Sequence, residues 1–361
     1  MKILIDINHP AHVHLLKNFA FEMQKKGHQI LFTCRDKEFE IELLESLRFE
    51  YINFGKKFSS LSGKILGLFK FNVKLLRIAL KFKPDILLSS GSIYASHVSF
   101  LIRKPHISLE DTGNIEQVRL YLPFTDVVLT SETFQEDYGS KQIRYPGYHE
   151  VAYLNKNYFT PDPSILKKLG IKNEDKFVVI RFISWKATHD VGVRGLSYED
   201  KISIVNKLSE KFIVFISSEG DLPKELENFR ININAIDMHS VLYYSSLLFG
   251  ESGTMTSECF ILGTPAVQIS GLPKGSMGTL EAQHNSGLVW IYEKYDDDIL
   301  NHVISLIETD KSKEIWKKKR DQVLSEFIDL TQFLVWFVEC YPSSFNAIKK
   351  DNNFIRQFLN N

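Results

Sequence analysis

Cysteine is scarce in this sequence, and neither sign of charge is in excess. The three cysteines, Cys34, Cys259 and Cys340, are an odd number at wide spacing, which excludes a disulfide framework and any CxxC metal site. Such sparse use of cysteine fits a reducing cytosol. The 44 lysines and arginines balance 44 aspartates and glutamates, so the overall charge does not indicate a nucleic-acid partner. We therefore expect a cytoplasmic protein that does not bind nucleic acid.

Long apolar runs are absent as well. No stretch reaches the roughly 18 to 20 residues of a membrane-spanning helix, and FLVWFVECY near the C-terminus is shorter and predicts a core-facing helix. The opening MKILIDINHP predicts a short strand instead of a secretory signal. With 361 residues, 44% of them hydrophobic and 24% charged, the chain has the composition of a soluble globular protein and the length of two domains.

Short β-rich runs alternate with longer helical stretches in the first half of the chain. Runs such as KILIDI, QILFTC, DILLSS, HISL and DVVLTS predict βα units and a parallel sheet. The alternation breaks where Pro, Tyr and Asn are frequent, and it resumes with KFVVIRFISW, FIVFISSEG and PAVQIS. We predict an α/β fold of two Rossmann-like parallel-sheet domains that face a cleft. The predicted boundaries are 1–150 for the N-terminal domain, 151–175 for the linker, 176–310 for the C-terminal domain and 311–361 for helices that pack back on the N-terminal domain.

One loop of the second domain has the composition of an anion-binding site. The stretch GESGTMTSECFILGTPAV, residues 250–267, follows an apolar run and predicts a strand, a loop and then a helix. Ligands of parallel sheets bind beyond the carboxyl ends of the strands. Small residues at 252–254 would let a phosphate approach the first helical turn, whose dipole attracts it, and Glu258 would accept hydrogen bonds from two ribose hydroxyls. The alternative is helix capping by Ser252 and Thr254, with Glu258 in solvent.

The pattern SGT…SE…LGTP after a strand resembles the nucleotide-sugar site of GT-B glycosyltransferases. It is equally similar to the site of the related non-hydrolysing UDP-N-acetylglucosamine 2-epimerases. Over about residues 1–330 the chain resembles, more closely, domain-of-unknown-function family 354, whose members are usually described as glycosyltransferases. The matching stretches are DINHPAHVH, GH, KPDILLSSGS, YPGYHEVAYL, RFISWKATHD and GTMTSE…LGTPAV. These motifs are specific to the family and not to one reaction.

The resemblance implies roles for particular residues. Ser252, Gly253 and Thr254 would hold the diphosphate of the nucleotide-sugar, and Glu258 would hold its ribose. The loop Ser90–Gly91–Ser92 matches an N-domain loop that faces the cleft in GT-B proteins. We expect a UDP-sugar as the donor substrate, with no cofactor.

A basic segment, RFISWKATHD, follows the first strand of the second domain. Its Arg181, Lys186 and His189 would face the cleft, where cations neutralise the charge of a departing UDP. By resemblance, His189 also has the position of the histidine that contacts the diphosphate in a 2-epimerase. The alternative for Arg181 is a structural ion pair within the strand.

Histidines cluster in the loop after the first strand, NHPAHVH. A transferase that inverts the sugar needs a base near pH 7 to deprotonate the acceptor hydroxyl, and the ordinary pKa of histidine suits this role. We predict His12, or else His9, as this base at the acceptor side. The alternative is helix capping by Asn8, with partly buried histidines that include His14.

Acidic residues follow a strand in HISLEDTGNIEQ, which resembles an epimerase segment. In an epimerase, Glu110, Asp111 and Glu116 would move a proton at C2 of the sugar, whereas in a transferase they would orient the acceptor or serve as base. We predict Glu110 and Asp111 as catalytic, and the sequence leaves the two reactions open.

Two patterns suggest a metal: the first makes a metal-dependent hydrolase the fourth hypothesis for this chain, and we reject the second. The three histidines near the N-terminus, with Asp111, His189 and Asp190, would suit a metal-dependent hydrolase. That interpretation leaves the loop at residue 250 unexplained. Asp296 and Asp298 have the DxD spacing of a metal site, but they open an amphipathic helix, where acidic residues favour the positive end of the dipole. We predict no metal.

The stretch from Lys56 to Lys83 has eight basic residues and no acidic one. Phe, Leu and Ile alternate with the cations at helical spacing, which indicates peripheral binding to a membrane surface; the alternative is a core helix with a solvated lysine face. The leading hypothesis is a metal-independent transferase of cell-surface polysaccharide or glycolipid synthesis, with a saccharide or lipid-linked acceptor. A UDP-N-acetylglucosamine 2-epimerase-like enzyme is second, and a non-catalytic nucleotide-sugar binder is third.

Overall fold

The protein folds as two compact units, each built on a parallel sheet. The computed structural model describes residues 1–36, 39–56, 61–183, 196–218, 220–271, 278–309 and 312–359. The first unit comprises Met1–Tyr158 and Glu326–Asn361, and the second comprises Phe159–Ser325. The predicted α/β class with two parallel sheets is thereby confirmed.

The strands of the first unit form one sheet, and those of the second unit form another. Their bounds are β1 (Lys2–Asp6), β2 (Gln29–Asp36), β3 (Tyr51–Lys56), β4 (Ile86–Ser90), β5 (His106–Glu110), β6 (Val127–Ser131), β7 (Gln142–Tyr145), β8 (Phe177–Phe182), β9 (Ile213–Ser218), β10 (Leu247–Gly250), β11 (Ala266–Ile269) and β12 (Val289–Tyr292). The strand order is β3-β2-β1-β4-β5-β6-β7 in the first sheet and β12-β11-β10-β8-β9 in the second, with parallel pairing between neighbours.

Helices alternate with the strands, as the sequence predicts. Their bounds are α1 (Pro10–Lys25), α2 (Glu40–Ser46), α3 (Leu61–Phe82), α4 (Ile93–Ile102), α5 (Ile115–Tyr121), α6 (Val151–Leu154), α7 (Ser164–Lys168), α8 (Tyr198–Ser209), α9 (Met238–Tyr244), α10 (Gly253–Leu262), α11 (Thr279–Asn285), α12 (Asp297–Glu308), α13 (Ser312–Leu324), α14 (Leu330–Glu339) and α15 (Ser343–Lys350). No helix of the described ranges is long and apolar enough to cross a membrane.

The central strands β1, β4 and β10 are buried almost throughout. This pattern is typical of a parallel sheet that helices cover on both faces. The order of the strands reverses at β1 and β4 in the first sheet and at β8 and β10 in the second. Ligands of such sheets bind beside these reversal points, at the carboxyl ends of the strands. The fold therefore directs attention to the loops that follow β1, β4, β8 and β10.

The division of the chain differs in part from the predicted boundaries. It falls between Tyr158 and Phe159, inside the predicted linker, and again between Ser325 and Glu326. Helix α13 therefore belongs to the second unit, although we predicted that the C-terminal helices begin at residue 311. Helix α14 belongs to the first unit, where Thr331 donates a hydrogen bond of 2.9 Å to the carbonyl of Ala152.

Candidate functional site

The loop after β10 is constrained by a very close approach to β8. Gly250 has a φ of 153°, and a Cβ atom at this position would lie 2.1 Å from the carbonyl oxygen of Arg181. The same carbonyl accepts a hydrogen bond of 2.9 Å from the N–H of Glu251. Only glycine can occupy this position, because no side chain fits against the neighbouring backbone.

Helix α10 begins immediately after this bend. Ser252 is its N-cap residue, and the Ser252 hydroxyl accepts a hydrogen bond of 3.3 Å from the N–H of Met255. The N–H groups of Gly253 and Thr254 have no intrahelical acceptor, as in any first helical turn, and Thr254 is exposed. The loop therefore offers donors and the positive end of a helix dipole to an anion. Capping by Ser252 is present as well, and it engages the N–H of Met255.

Glu251, which the sequence analysis did not single out, organises the base of the loop. Its carboxylate forms a buried ion pair with Lys201 at 3.0 Å. It also accepts hydrogen bonds from the N–H groups of Ile183, at 3.2 Å, and Leu196, at 3.0 Å. One side chain thus ties together the end of β8, the approach to α8 and the loop before α10. The predicted site residues Lys186 and His189, like Asp190, lie outside the described residues.

Glu258, the predicted ribose ligand, is buried inside the second unit. Its Oε1 lies 2.9 Å from Nε2 of His239 on α9, and the two side chains are 6% and 5% exposed. The alternative interpretation placed Glu258 in solvent, and the buried position of its side chain contradicts that interpretation. Arg181 lies within β8, and its guanidinium donates a hydrogen bond of 2.9 Å to the hydroxyl of Ser217 on β9.

Two buried glutamines lie near the start of α10, and the sequence analysis missed both. A Cβ atom on Gly253 would lie 3.6 Å from Nε2 of Gln268, on β11. Gln283, on α11, donates a hydrogen bond of 2.6 Å to the hydroxyl of Ser257. The amide oxygens of both glutamines are buried and have no hydrogen-bond partner among the described residues. Because buried polar atoms are nearly always paired, these two oxygens are candidates to accept hydrogen bonds from a ligand.

In the first unit, Asp6 closes the end of β1 with three side chains. Its carboxylate accepts hydrogen bonds from the hydroxyls of Thr33, at 2.7 Å, and Ser92, at 2.5 Å. The guanidinium of Arg35 lies 3.3 Å from the same carboxylate and 4.6 Å from the ring of Tyr94. This buried network holds the loop after β4 against the loop after β1. Part of the predicted Ser90–Gly91–Ser92 loop is thus structural, since Ser92 also caps α4.

The two neighbouring acids Glu110 and Asp111 have different surroundings. Glu110 is buried and accepts four hydrogen bonds, from the N–H and the hydroxyl of Thr112, each at 2.8 Å, from the N–H of Gly113 at 3.1 Å, and from the hydroxyl of Tyr121 at 2.5 Å. Asp111 is 42% exposed and pairs with His149, whose Nδ1 lies 3.2 Å from its carboxylate. Glu116 lies exposed in the first turn of α5. Among these three acids, Asp111 therefore combines an exposed carboxylate with a partner, His149, that fixes its orientation.

His149 lies in the YPGYHEVAYL motif, to which we assigned no catalytic role. Its ring is 8% exposed and stacks on Tyr145, with the ring centroids 6.4 Å apart. Its Nε2 atom has no hydrogen-bond partner among the described residues. Burial lowers the pKa of His149, but the adjacent Asp111 carboxylate outweighs this effect, so the pKa is raised overall. Burial raises the pKa of Asp111, and His149 outweighs that effect and lowers it.

The predicted bases His9 and His12 flank the start of α1. His9 is the N-cap residue, and the Nδ1 of His9 accepts a hydrogen bond of 3.2 Å from the N–H of Ala11. The alternative interpretation had placed Asn8 at this cap. The Nδ1 of His12 accepts one of 3.4 Å from the N–H of Asn8. Burial, and then the proximity of His9, lower the pKa of His12 to about 3. His12 is consequently neutral at pH 7, with its proton on Nε2.

Metal-binding geometry is missing from the described ranges. Within them, no three side chains of His, Cys, Asp or Glu are arranged to hold one ion. His14 is buried, and its ring lies 5.5 Å from that of Tyr153. Asp296 caps α12 by accepting a hydrogen bond of 2.9 Å from the N–H of Ile299, as expected for an acid at a helix start.

The sequence matches a family over nearly its full length. Residues 1–338 match the family described as "Protein of unknown function (DUF354)". The chain belongs to the DUF354 family. An uncharacterized protein of Methanocaldococcus jannaschii is 27% identical to this DUF354 protein over 278 residues, which are 74% of this chain and 81% of the relative.

Solved structures with the same fold come from two classes of enzyme. The UDP-GlcNAc 2-epimerase of Neisseria meningitidis, solved with UDP-GlcNAc bound, has a TM-score of 0.63 and 15% identity, and the match covers 89% of this chain and 94% of the epimerase. The spinosyn forosaminyltransferase has a TM-score of 0.61 and 13% identity, with 99% of both chains covered. The DUF354 protein therefore has the fold shared by GT-B glycosyltransferases and these epimerases.

Proposed function

We propose that this DUF354 protein is a glycosyltransferase that takes its sugar from a nucleotide-sugar, in particular a UDP-sugar, without a metal ion. The observation that carries the proposal is the loop from Gly250 to Thr254, whose bend leads directly into the first turn of α10, where N–H groups have no intrahelical acceptor. A diphosphate carries the charge that these donors and the helix dipole attract. The acceptor is a saccharide or a lipid-linked sugar, in the synthesis of a cell-surface polysaccharide or glycolipid.

The second unit would bind the donor. Ser252, Gly253 and Thr254 contact the diphosphate, and the buried amide oxygens of Gln268 and Gln283 accept hydrogen bonds from sugar hydroxyls. The Glu258 side chain is 6% exposed, and its Oε1 is paired with His239. To bind the ribose, Glu258 would keep this contact through Oε1 and accept hydrogen bonds from the ribose through Oε2. Arg181, Lys186 and His189 remain candidates for the diphosphate.

The first unit would supply the proton acceptor, and we assign this role to Asp111. In glycosyl transfer the acceptor hydroxyl gives its proton to a carboxylate while its oxygen forms a bond to C1 of the sugar, and the bond between C1 and the diphosphate oxygen breaks, so that the nucleoside diphosphate leaves with the electron pair. Within the first unit Asp111 suits the role of the carboxylate, and within the second unit the start of α10 suits the diphosphate. His149 holds the Asp111 carboxylate in position. His12, neutral with its proton on Nε2, is better suited to donate a hydrogen bond to the substrate.

An epimerase that acts on the nucleotide-sugar is the second candidate. The epimerase from Neisseria meningitidis, which was solved with UDP-GlcNAc, has the same fold. Of the acids that would exchange a proton at C2 in an epimerase, Glu110 already accepts four hydrogen bonds, whereas Asp111 would suit either reaction. Incubation of the protein with UDP-sugars and no acceptor separates the two functions. Epimerised sugar would favour the epimerase, whereas transfer that requires an added acceptor would favour the transferase.

The diphosphate site is tested by one added charge. Thr254→Glu places a carboxylate at the exposed second position of α10, where it favours the helix dipole and leaves the fold intact. The same carboxylate would repel a diphosphate, so we expect UDP affinity, measured by calorimetry in buffer with a chelator, to fall by about tenfold or more. Thr254→Gln has nearly the same shape without the charge and should bind UDP nearly as well as the unchanged protein. Equal affinities of the two variants would contradict the proposed site.

A further inference from the structure

The outward face of α3 carries large apolar side chains next to cations. Phe69 is 73% exposed, Val73 44% and Leu80 60%. With 3.6 residues per turn, these three positions fall in one stripe along the helix. Lys70, Arg77 and Lys81 are exposed beside them. A helix that only covers the sheet would turn such residues inward, and α3 does so separately, through Phe71, Leu75 and Ala79.

Helix α4 extends the same combination. Phe100 and Leu101 are 62% and 61% exposed at its end, and Arg103 and Lys104 are exposed directly after them. The helices α3 and α4 pack on one hydrophobic cluster, which includes Phe82 and Ile102 from their last turns. Both helices lead from one parallel strand to the next, so they run in the same direction and their last turns meet at one edge of the sheet. We call these exposed residues the α3–α4 face.

We propose that the α3–α4 face docks on the surface of an anionic phospholipid bilayer. The described face is rich in cations, since Lys70, Arg77, Lys81, Arg103 and Lys104 are exposed there, and the sequence from Lys56 to Lys83 has no acidic residue. Asp85 is an exposed acid near the face, 4.0 Å from Lys104. Phenylalanine and leucine side chains insert among the lipid headgroups, while lysine and arginine pair with lipid phosphates. Neither part binds strongly alone, and the two together give stable peripheral attachment.

The chemistry favours lipid over an acidic protein surface. An acidic protein would pair with the cations but would leave several bulky apolar side chains against polar groups. A bilayer takes both kinds of group, because its headgroup region lies directly above its hydrocarbon region. Docking through this face rests on α3 and α4 alone, so it stands or falls independently of the proposed glycosyl transfer.

The first experiment is vesicle co-sedimentation with the full-length protein. Vesicles of equal parts phosphatidylglycerol and phosphatidylcholine are compared with vesicles of phosphatidylcholine alone, at about 0.1 M and about 1 M salt, which screens surface charges strongly. We expect the protein to bind the anionic vesicles at low salt, and to bind them several-fold less at high salt. Equal binding to both vesicle types, or no binding to either, would overturn the proposal.

Variants then locate the binding surface. Arg77→Glu with Lys81→Glu reverses two charges of the α3–α4 face, and we expect affinity for the anionic vesicles to fall at least about tenfold. Lys318→Glu with Lys319→Glu makes the same change in net charge at exposed positions of α13 and should bind nearly as the unchanged protein does. Equal losses in the two variants would mean that only net charge matters, and would overturn the assignment to this face.

An apolar variant tests the other half of the face. Phe69→Ser with Leu80→Ser keeps every charge, and we expect it to lose binding at least several-fold while its thermal unfolding stays unchanged, since both side chains are exposed. If this variant bound vesicles fully, insertion would be excluded. If instead it changed the oligomeric state of the lipid-free protein, the face would be a contact between copies of the chain, which would overturn the proposal.

Discussion

Glu110 and Asp111 are adjacent in the chain, yet only one of them is available to a substrate. Glu110 is the last residue of β5, and its carboxylate accepts hydrogen bonds from Thr112, Gly113 and Tyr121. Asp111 follows the strand and emerges beside His149. Consecutive residues at a strand end point in opposite directions, so a pair of acids in the sequence predicts a catalytic site without predicting which acid faces it.

The pairing of Asp111 with His149 predicts a pH-dependent contribution to stability. The pKa of His149 is raised in the folded protein. Its contribution to the free energy of unfolding is therefore fully present below its ordinary pKa of 6.5 and is lost as the pH rises through the pKa of the folded state. The pKa of Asp111 is lowered, so its part is present above its ordinary pKa of 3.8 and is lost as the pH falls through the folded value. The pair therefore stabilises the fold most between those two ordinary values.

Asp111→Asn removes this contribution and keeps the shape. In urea unfolding near pH 5.5 we expect it to cost about 1 kcal/mol, a small figure because Asp111 is 42% exposed and solvent weakens the pair. The difference from the unchanged protein should shrink towards pH 9 and towards pH 3. His149→Asn is the matched control, since it keeps a neutral donor near the Nδ1 position, and in this background Asp111→Asn should show little pH dependence. A difference that is constant across pH would contradict the ion pair.

The connection from β10 to α10 is the element that the sequence predicts best. A strand, a bend of small residues and a helix are all local features, and the observed strand Leu247–Gly250 and helix Gly253–Leu262 follow the predicted order of strand, loop and helix. What local features do not show is how tightly the bend crosses β8. That contact depends on the parallel register that pairs Gly250 with Arg181.

Gly250→Ala is expected to be among the most destabilising single substitutions in the second unit. The added methyl group would meet the Arg181 backbone at 2.1 Å, so the strand pairing or the helix start has to shift, and we expect a loss of at least about 3 kcal/mol in chemical denaturation. Gly220→Ala is the matched control, because its added Cβ meets no atom within 4 Å. It should change stability by no more than about 0.5 kcal/mol. Similar losses at the two positions would contradict the close approach.

The first unit is built from two separate parts of the chain. Residues after Glu326 return to it, and α14 packs with α1 and α6. Five apolar side chains of α14 are completely buried there: Leu330, Phe333, Leu334, Phe337 and Val338. Lys26 and His28 also pair with Glu339, at 2.7 and 2.9 Å. The C-terminal segment is thus part of the core of the first unit.

We expect that removal of this segment unfolds the first unit and leaves the second unit folded. Burial of five such side chains contributes roughly 10 kcal/mol at about 2 kcal/mol each, which is comparable to the whole stability of a domain. In a chain that ends at Ser325 we expect hydrogen exchange to show Met1–Tyr158 unprotected and Phe159–Ser325 protected. Residues 159–325 expressed alone should unfold cooperatively. Full protection of Met1–Tyr158 in the shortened chain would contradict this role of α14.

The sequence by itself determined the alternation of strands and helices, the two parallel sheets and the glycine bend with a capped helix start after β10. Each of these follows from residues close together in the chain, through hydrophobic pattern, glycine position and helix capping. The tertiary structure decided that Asp111 pairs with His149, that Glu258 is buried against His239, that Glu251 joins Lys201, and that the last helices complete the first unit. Those partners are far apart in the chain, and only the register of the strands and the packing of the helices bring them together.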